Sequence, residues 1–339
     1  METKFSGFAA FKKGERLKRF DFDPGPFRSE QVEVKIEYCG VCHSDVSMID
    51  DEWEESKFPL VPGHEIVGRI EKVGDNVKAL KVGQRVGIGW FSASCMSCAQ
   101  CLAGNQHLCE NSEQIMIGRQ GGFANRVRCH WVWATPLPDA IQPEIAGPLF
   151  CAGVTVFNPI VISDVKPTSR VGVIGIGGLG HLALQFLNKW GCEVFAFSTS
   201  PNKRKEIMKL GAHHVINPCK KAHFEEVKGK LDFILSTVYV QMNWETIIDS
   251  LAPNGRLHFV GTVPDPIEVD VFQLIDEQRV VAASPVGSPR AVATMLDFCV
   301  RHCIAPRTEQ FPMSRINTAL ERLRSGRVRF RGVVKNDLD

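Results

Sequence analysis

Four cysteines, Cys95, Cys98, Cys101 and Cys109, stand in a C-x2-C-x2-C-x7-C pattern within a segment that turns at Gly104 and Asn105. Two-residue gaps let one turn aim successive thiolates at a single point, and a fourth thiolate from a return segment completes a tetrahedron around zinc. Four thiolates leave no open coordination position, so such a metal would hold a lobe too short to have its own core. An iron–sulfur cluster also takes four thiolates, but the bacterial ferredoxin run has a shorter last gap followed by proline, and here Glu110 follows Cys109. Cysteines buried without any ligand are the other alternative, and the regular spacing favours structural zinc.

A second set is scattered. Cys42 lies in Gly40-Val41-Cys42-His43-Ser44-Asp45, His64 and Glu65 follow the prolines Pro59 and Pro62, and Cys151 opens Cys151-Ala152-Gly153-Val154-Thr155. Singly, a buried Cys or His is more often a core residue than a ligand. Beside a closed zinc lobe and a nucleotide fold, the three form a Cys/His/Cys set, the kind catalytic zinc uses when its fourth position stays open for water or a substrate oxygen.

The third chemical signal is a glycine run. Val171–Ile174 leads into Gly175-Ile176-Gly177-Gly178-Leu179-Gly180, and then into an apolar-periodic segment through Leu182, Ala183, Phe186 and Leu187. This is G-x-G-x-x-G between a strand and a helix, where missing side chains let a pyrophosphate approach the helix N-terminus. The next strand should end near the adenosine ribose, where NAD enzymes present an acid. Here the chain reads Ser198-Thr199-Ser200-Pro201-Asn202-Lys203-Arg204, with three hydroxyls, two cations and no acid. That combination suits a 2′-phosphate and predicts NADP(H). An ordinary polar turn before a solvated helix is the competing reading.

The elements that must position these residues differ along the chain. The first 150 residues read as β-rich, with alternation in Val32–Tyr38, Glu65–Val73 and Gln84–Ile88 and with Gly and Pro in the connections, as in a folded-over sheet or barrel. From Arg170, short apolar runs (Val171–Ile174, Val194–Phe197, Val215–Ile216, Phe233–Leu235, Leu257–Val260, Val280–Ala283) alternate with helix-length segments such as Leu179–Trp190 and Trp244–Leu251, the rhythm of a doubly wound parallel sheet. After Ser284 come helices near Ala291–His302 and Ile316–Arg324 and a strand at Gly332–Lys335, a tail expected to rejoin the first domain. The predicted division is therefore 1–150 with 285–339, and 151–284.

Bulk properties limit the partners. A chain of 339 residues with 44% apolar content suggests two domains. A net charge of +2 from 40 basic and 38 acidic residues gives no single-sign field for nucleic acid or an anionic membrane. The N-terminal segment METKFSGFAAFKKGERLKRF lacks a signal-peptide apolar core and no run is long enough to span a bilayer, so a cytoplasmic enzyme is expected, with its twelve cysteines reduced or metal-bound. Cys39, Cys129, Cys192, Cys219, Cys299 and Cys303 fit no ligand spacing.

The segments GVCHSDVSMIDDEW, FPLVPGHEIVGR, VGQRVGIGW, GPLFCAGVTVF and SRVGVIGIGGLGH, in this order, resemble the medium-chain zinc alcohol dehydrogenases over almost the whole chain. Within them the chain is similar to the cinnamyl alcohol dehydrogenase branch and its bacterial NADP-dependent broad-specificity aldehyde reductases. The resemblance implies an α/β protein with a GroES-like catalytic domain and a Rossmann coenzyme domain, two zincs per chain, and a homodimer. It assigns Cys42, His64 and Cys151 to the catalytic zinc, Glu65 as a carboxylate able to replace water on it, Ser44 as the proton-passing hydroxyl, His43 as a neighbour of the coenzyme, and Asp45 as the group fixing His64. It also implies that Thr155, Thr237, Val238 and the strand end with Gly261 and Val263 line the nicotinamide pocket, and that Arg331 reaches the pyrophosphate. Plant members carry a histidine where this chain has Ser47, which leaves the relay beyond Ser44 open to a ribose hydroxyl and water.

Trp53, Trp90 and Met48 are candidates for an apolar substrate wall, or else core packing. The resulting expectation is reversible reduction of aromatic and aliphatic aldehydes to primary alcohols with NADPH. An NAD-dependent alcohol, polyol or formaldehyde dehydrogenase of the same superfamily is the enzymatic alternative, and a zinc-stabilised nucleotide-binding protein without turnover is the non-enzymatic one.

Overall fold

The structure, a computed structural model, describes residues 4–338. The chain forms two compact units, one made of residues up to Cys151 together with those from Gly287 onward, the other of Ala152–Val286.

The first unit opens with a hairpin of β1 (Phe5–Ala9) and β2 (Lys18–Phe22), then the long β3 (Gln31–Val41) and the short helix α1 (His43–Ile49). Strands β4 (Ile66–Val73), β5 (Arg85–Ile88) and β6 (Phe91–Ala93) follow, then α2 (Ala99–Leu102), β7 (Glu113–Gln114), β8 (Arg126–His130), β9 (Thr135–Pro136) and α3 (Pro143–Ala146). Strand β3 is the hub. It pairs antiparallel with β4, with β8 and with a strand from the far end of the chain, and correspondingly Val32, Val34, Ile36, Cys39 and Val41 are all buried.

The second unit starts with α4 (Ala152–Ile162) and alternates β10 (Arg170–Ile174), α5 (Gly180–Trp190), β11 (Glu193–Phe197), α6 (Arg204–Lys209), β12 (His214–Ile216), α7 (Lys221–Val227), β13 (Leu231–Ser236), α8 (Trp244–Asp249), β14 (Leu251–Phe259), α9 (Val271–Ile275) and β15 (Val280–Ala283). Its six strands are all parallel in the order β12-β11-β10-β13-β14-β15. That is the doubly wound order 3-2-1-4-5-6, in which ligands bind beyond the carboxyl ends of strands where the winding reverses, here between β10 and β13. The continuous apolar runs of β10, β11 and β13 follow from burial on both sheet faces. Helix α5 ends at Gly191, whose φ of +109° suits the left-handed cap.

The chain then returns to the first unit through α10 (Pro289–His302), β16 (Thr308–Pro312), α11 (Ile316–Arg324) and β17 (Arg331–Lys335). Ser288 caps α10, its hydroxyl accepting from the N–H of Ala291, and Pro289 occupies the first helical position. Strand β17 pairs antiparallel with β3, bringing Val333 opposite Gly40 and Gly332 opposite Val41. The expected strand at Gly332–Lys335 is therefore an integral neighbour of the metal-bearing segment. Among the described residues no single helix is long and apolar enough to cross a membrane.

Candidate active site

Cys42 directly precedes α1, and its N–H donates to Oδ2 of Asp45, which lies in the first turn. The other oxygen of Asp45 accepts from the N–H of Gly63 and lies 2.9 Å from Nδ1 of His64. One buried carboxylate thus ties the start of α1 to the turn carrying His64 and Glu65. Cys151 closes the first unit just before α4 and sets its sulfur 3.3 Å from Nε2 of His64.

These side chains converge. Cys42, His64, Glu65 and Cys151 are all buried, and each offers one ligand atom within 4.8 Å of the others. Tetrahedral zinc with bonds of the usual length separates its ligands by about 3.5 Å, and the imidazole–sulfur distance is of that size. Two sulfurs, an imidazole nitrogen and a carboxylate, sealed from water, are a zinc donor set. Ser44 is half-buried in α1 with its hydroxyl 3.7 Å from the sulfur of Cys42, while His43 beside it is exposed.

The four enclosed donors shift one another's proton affinity. Cys42 is held well below the usual thiol range, first by a hydrogen bond from the Cys151 thiol and further by the charges of Arg331 and His64. Cys151 is driven well above that range by its bond to Cys42 and by burial. Burial alone would push His64 down, but the Asp45 carboxylate and Cys42 outweigh it and raise the imidazole well above its ordinary value. Glu65 rises to about 7 because burial outweighs the attraction of Arg331. A thiol must lose its proton to bind a divalent cation, and the lowered pKa of Cys42 favours that.

Arg331, expected at the coenzyme pyrophosphate, is found inside the first unit with its Nη2 hydrogen-bonded to Oε1 of Glu65. It is 4% exposed and its Nε has no hydrogen-bond partner, nor has Oε2 of Glu65. Two further contacts had no signal in the sequence. The Trp90 indole meets the His64 ring edge to face, centres 5.0 Å apart and planes at 79°, and Trp53 packs on Trp90 at 5.9 Å and 63°. Met48 and Ser47, by contrast, are enclosed in the core of the unit.

The second cluster forms a separate lobe. Cys95, Cys98, Cys101 and Cys109 also bring their sulfurs within 4.8 Å of one another. Backbone N–H groups point at them: that of Cys98 to the Cys95 sulfur, that of Cys101 to the Cys98 sulfur, and that of Cys95 to the Cys109 sulfur. The N–H groups of Ser97 and Cys98 bring Cys95 down to about 6, a thiolate near neutral pH, whereas burial pushes Cys101 up to about 12. All twelve cysteines are free thiols, so no disulfide competes with a metal for these sulfurs.

In the second unit Gly175, Gly177, Gly178, Leu179 and Gly180 form the turn between β10 and α5. Gly175 takes a φ of +86°, and a Cβ on Gly180 would lie 1.9 Å from the Gly175 carbonyl oxygen, so neither position admits a side chain. A Cβ on Gly177 would meet nothing within 4 Å, leaving a bare cradle at the head of α5 where a pyrophosphate fits. Thr237, which follows β13, donates its hydroxyl to the carbonyls of Ile174 and Gly175 and fixes the turn across the point of reversal. Val238 lies against Gly175, and Gly261 packs on the Val238 carbonyl so tightly that a Cβ there would come within 2.3 Å of it. Val263 is partly buried nearby in sequence, and Thr155 is 7% exposed on α4. Ser198, Thr199 and Ser200 follow β11, with the N–H of Ser200 donating to the hydroxyl of Ser198. Lys203 and Arg204 are exposed at the start of α6.

Comparison with known proteins gives the family of the chain. Residues 28–139 match the alcohol dehydrogenase GroES-like domain, and residues 178–301 the zinc-binding dehydrogenase family. The chain is 48% identical over 329 residues to aldehyde reductase AdhA of Synechocystis, covering 97% of this chain and 98% of that protein. A solved cinnamyl alcohol dehydrogenase from Sorghum bicolor superposes with a TM-score of 0.94 at 32% identity, over 98% of each chain. A Helicobacter pylori cinnamyl alcohol dehydrogenase complexed with NADP(H) gives 0.90 at 31% identity, over 99% of each. The chain belongs to the zinc-binding medium-chain alcohol dehydrogenase family, in its cinnamyl alcohol dehydrogenase branch.

Proposed function

We propose that this chain reduces aldehydes to primary alcohols, reversibly, with NADPH as the hydride donor. The observation that carries the reading is the enclosed trio Cys42, His64 and Cys151 with the Ser44 hydroxyl at its edge. When bound there, zinc supplies Lewis-acid polarisation of the substrate oxygen.

The protein's own groups account for the rest of the reaction. Cys42, His64 and Cys151 offer three ligands and leave a position free, while Asp45 holds the His64 ring by its Nδ1 so that Nε2 faces inward. Ser44 donates the proton that the carbonyl oxygen needs as hydride arrives, and takes it back in the oxidative direction. Ser47 is enclosed rather than facing solvent and does not carry the proton outward, and a ribose hydroxyl of a bound coenzyme, with water, would be the next acceptor after Ser44. Trp90 and Trp53 supply an apolar wall for the aldehyde's side chain. Arg331 stays with Glu65 and restrains that carboxylate.

The coenzyme reading rests on the second unit. The glycine turn and the Thr237 hydroxyl favour a dinucleotide at the point of strand reversal, and Ser198, Thr199, Ser200, Lys203 and Arg204 favour a 2′-phosphate over a bare hydroxyl. A homodimer accompanies this: among the described residues β15 is an edge strand of its sheet, and the exposed apolar residues Val271, Phe272, Ile275 and Val280 on α9 and β15 are the surface that a second copy covers. The free thiols fit the reducing cytoplasm.

The test is an NADPH-oxidation screen over aromatic and aliphatic aldehydes, with NADH in parallel, metal analysis, and Cys42→Ala as control. Two zincs per chain are expected, about one in the variant with the fold retained, and turnover at least tenfold better with NADPH than with NADH. Equal use of NADH would refute the coenzyme assignment, and full activity in the variant would refute the mechanism.

A further inference from the structure

Glu65 is a buried carboxylate beside three metal donors, and what restrains it is an absence. Gly40 lies on β3 with its N–H donating to the Glu65 carbonyl at 2.8 Å. A Cβ on Gly40 would stand 1.9 Å from Oε2 of Glu65, 2.8 Å from its Cβ and 2.9 Å from its Cδ. The whole side chain therefore lies across the bare Cα of the glycine. Its other oxygen is bonded to Arg331, and Oε2 itself has no hydrogen-bond partner. The backbone here is fixed on both sides, since β17 pairs with Gly40 through Val333 and a Cβ on Gly147 would come within 2.6 Å of the Glu65 carbonyl oxygen.

We propose that Gly40 is a positioning residue that keeps the metal's fourth position open: its missing side chain is the space in which the Glu65 carboxylate rests on Arg331. A methyl group at residue 40 would evict the carboxylate from that place. A dry charge without a partner is costly, and a cation held by Cys42, His64 and Cys151, whose ligand atoms lie within 4.8 Å of the Glu65 oxygen, is a partner within reach. The displaced carboxylate then becomes a permanent fourth protein ligand, turning an open site into a closed one like that of the four-cysteine lobe. This inference rests on the metal reading above and adds the residue that separates an exchangeable site from a sealed one.

The experiment uses cobalt-substituted full-length protein, whose visible spectrum reports coordination directly. The parent, Glu65→Ala, Gly40→Ala and the double variant Gly40→Ala/Glu65→Ala are titrated with azide as a small exogenous ligand. Parent and Glu65→Ala should shift their spectra on azide binding. Gly40→Ala should retain two cobalts yet bind azide at least tenfold more weakly, and the double variant should recover the response. Should Gly40→Ala fail to fold, Arg331→Met frees the same carboxylate without touching β3 and should show the same loss. A folded Gly40→Ala, or Arg331→Met in its place, that binds azide like the parent overturns the proposal, as does a folded double variant that stays unresponsive. A parent that takes up only one cobalt overturns the metal reading itself, a failure distinct from a two-cobalt parent with an unaffected variant.

Discussion

Asp45 and His64, both fully enclosed, share a contact of 2.9 Å between carboxylate oxygen and Nδ1, while the opposite imidazole nitrogen faces the Cys151 sulfur. The carboxylate determines which ring nitrogen is available to a metal and holds the ring in that orientation. It is also tied to the backbone at Cys42 and Gly63, so it cannot follow the ring elsewhere.

Asp45→Asn keeps an oxygen for one of these backbone N–H groups but loses the charge. Zinc affinity at the open site should fall about 10- to 100-fold, the usual cost of removing such a partner. Chelator competition measures this, and kcat should drop in parallel. An unchanged affinity would show that the contact only holds the loop.

Trp90 meets both His64 and Trp53 in edge-to-face contacts. Trp90→Ala should raise KM for aromatic aldehydes by about 10- to 200-fold, as expected when 1–3 kcal/mol of apolar contact is lost, with much less effect on acetaldehyde. If large and small aldehydes suffer alike, Trp90 acts through His64 and not as a substrate wall.

Cys98→Ser removes one thiolate from the four-cysteine lobe while leaving Cys42, His64 and Cys151 intact. One zinc per chain should be lost, and the melting temperature should fall by several degrees. Thermal scans with metal analysis check both, and a variant that keeps two zincs and the parent's melting point would remove the structural role of the lobe.

His258, 1% exposed on β14, donates or accepts through Nε2 to the Ser284 hydroxyl at 2.9 Å, and its Nδ1 has no hydrogen-bond partner. Burial, helped by the charge of Arg256, brings its pKa down to about 4. The unfolded chain titrates near the ordinary value of about 6.5 and so takes up this proton first as the pH falls. Stability from this residue is therefore complete above pH 6.5 and is lost progressively towards pH 4, by up to about 3 kcal/mol. Urea midpoints measured from pH 7 to 5 should fall less steeply in His258→Asn than in the parent. Parallel profiles would show that His258 does not govern acid sensitivity.

Much of this was legible in the sequence, for identifiable reasons. Strands such as Val171–Ile174 and Phe233–Leu235 are buried on both faces, so their apolar runs stand out, and each is flanked by an amphipathic helix. The glycine turn and the four-cysteine lobe are local, with spacing that carries the geometry. Helix α4 was harder, since Val154, Thr155 and Val156 favour strands and Pro159 sits inside it, yet burial of nearly the whole segment imposes the helix. The pair β6 and β7 has only three and two residues, too few for any alternation to register. The partner of Arg331 lies 266 residues away in the turn just before β4, and no pattern along the chain signals that pairing or the space that Gly40 leaves for it.

The placement of β17 against β3 also sets an order of events during synthesis. Residues 152–286 are contiguous and can close their sheet as soon as they leave the ribosome, whereas the earlier segment bearing Cys42, His64 and Glu65 waits for a neighbour encoded after that whole unit. Arg331 is translated after Cys42, His64, Glu65 and Cys151, so a nascent chain holds these four side chains before it acquires the guanidinium that restrains Glu65. Emergence of β17, not emergence of the donors, is the moment at which the pocket takes its mature form.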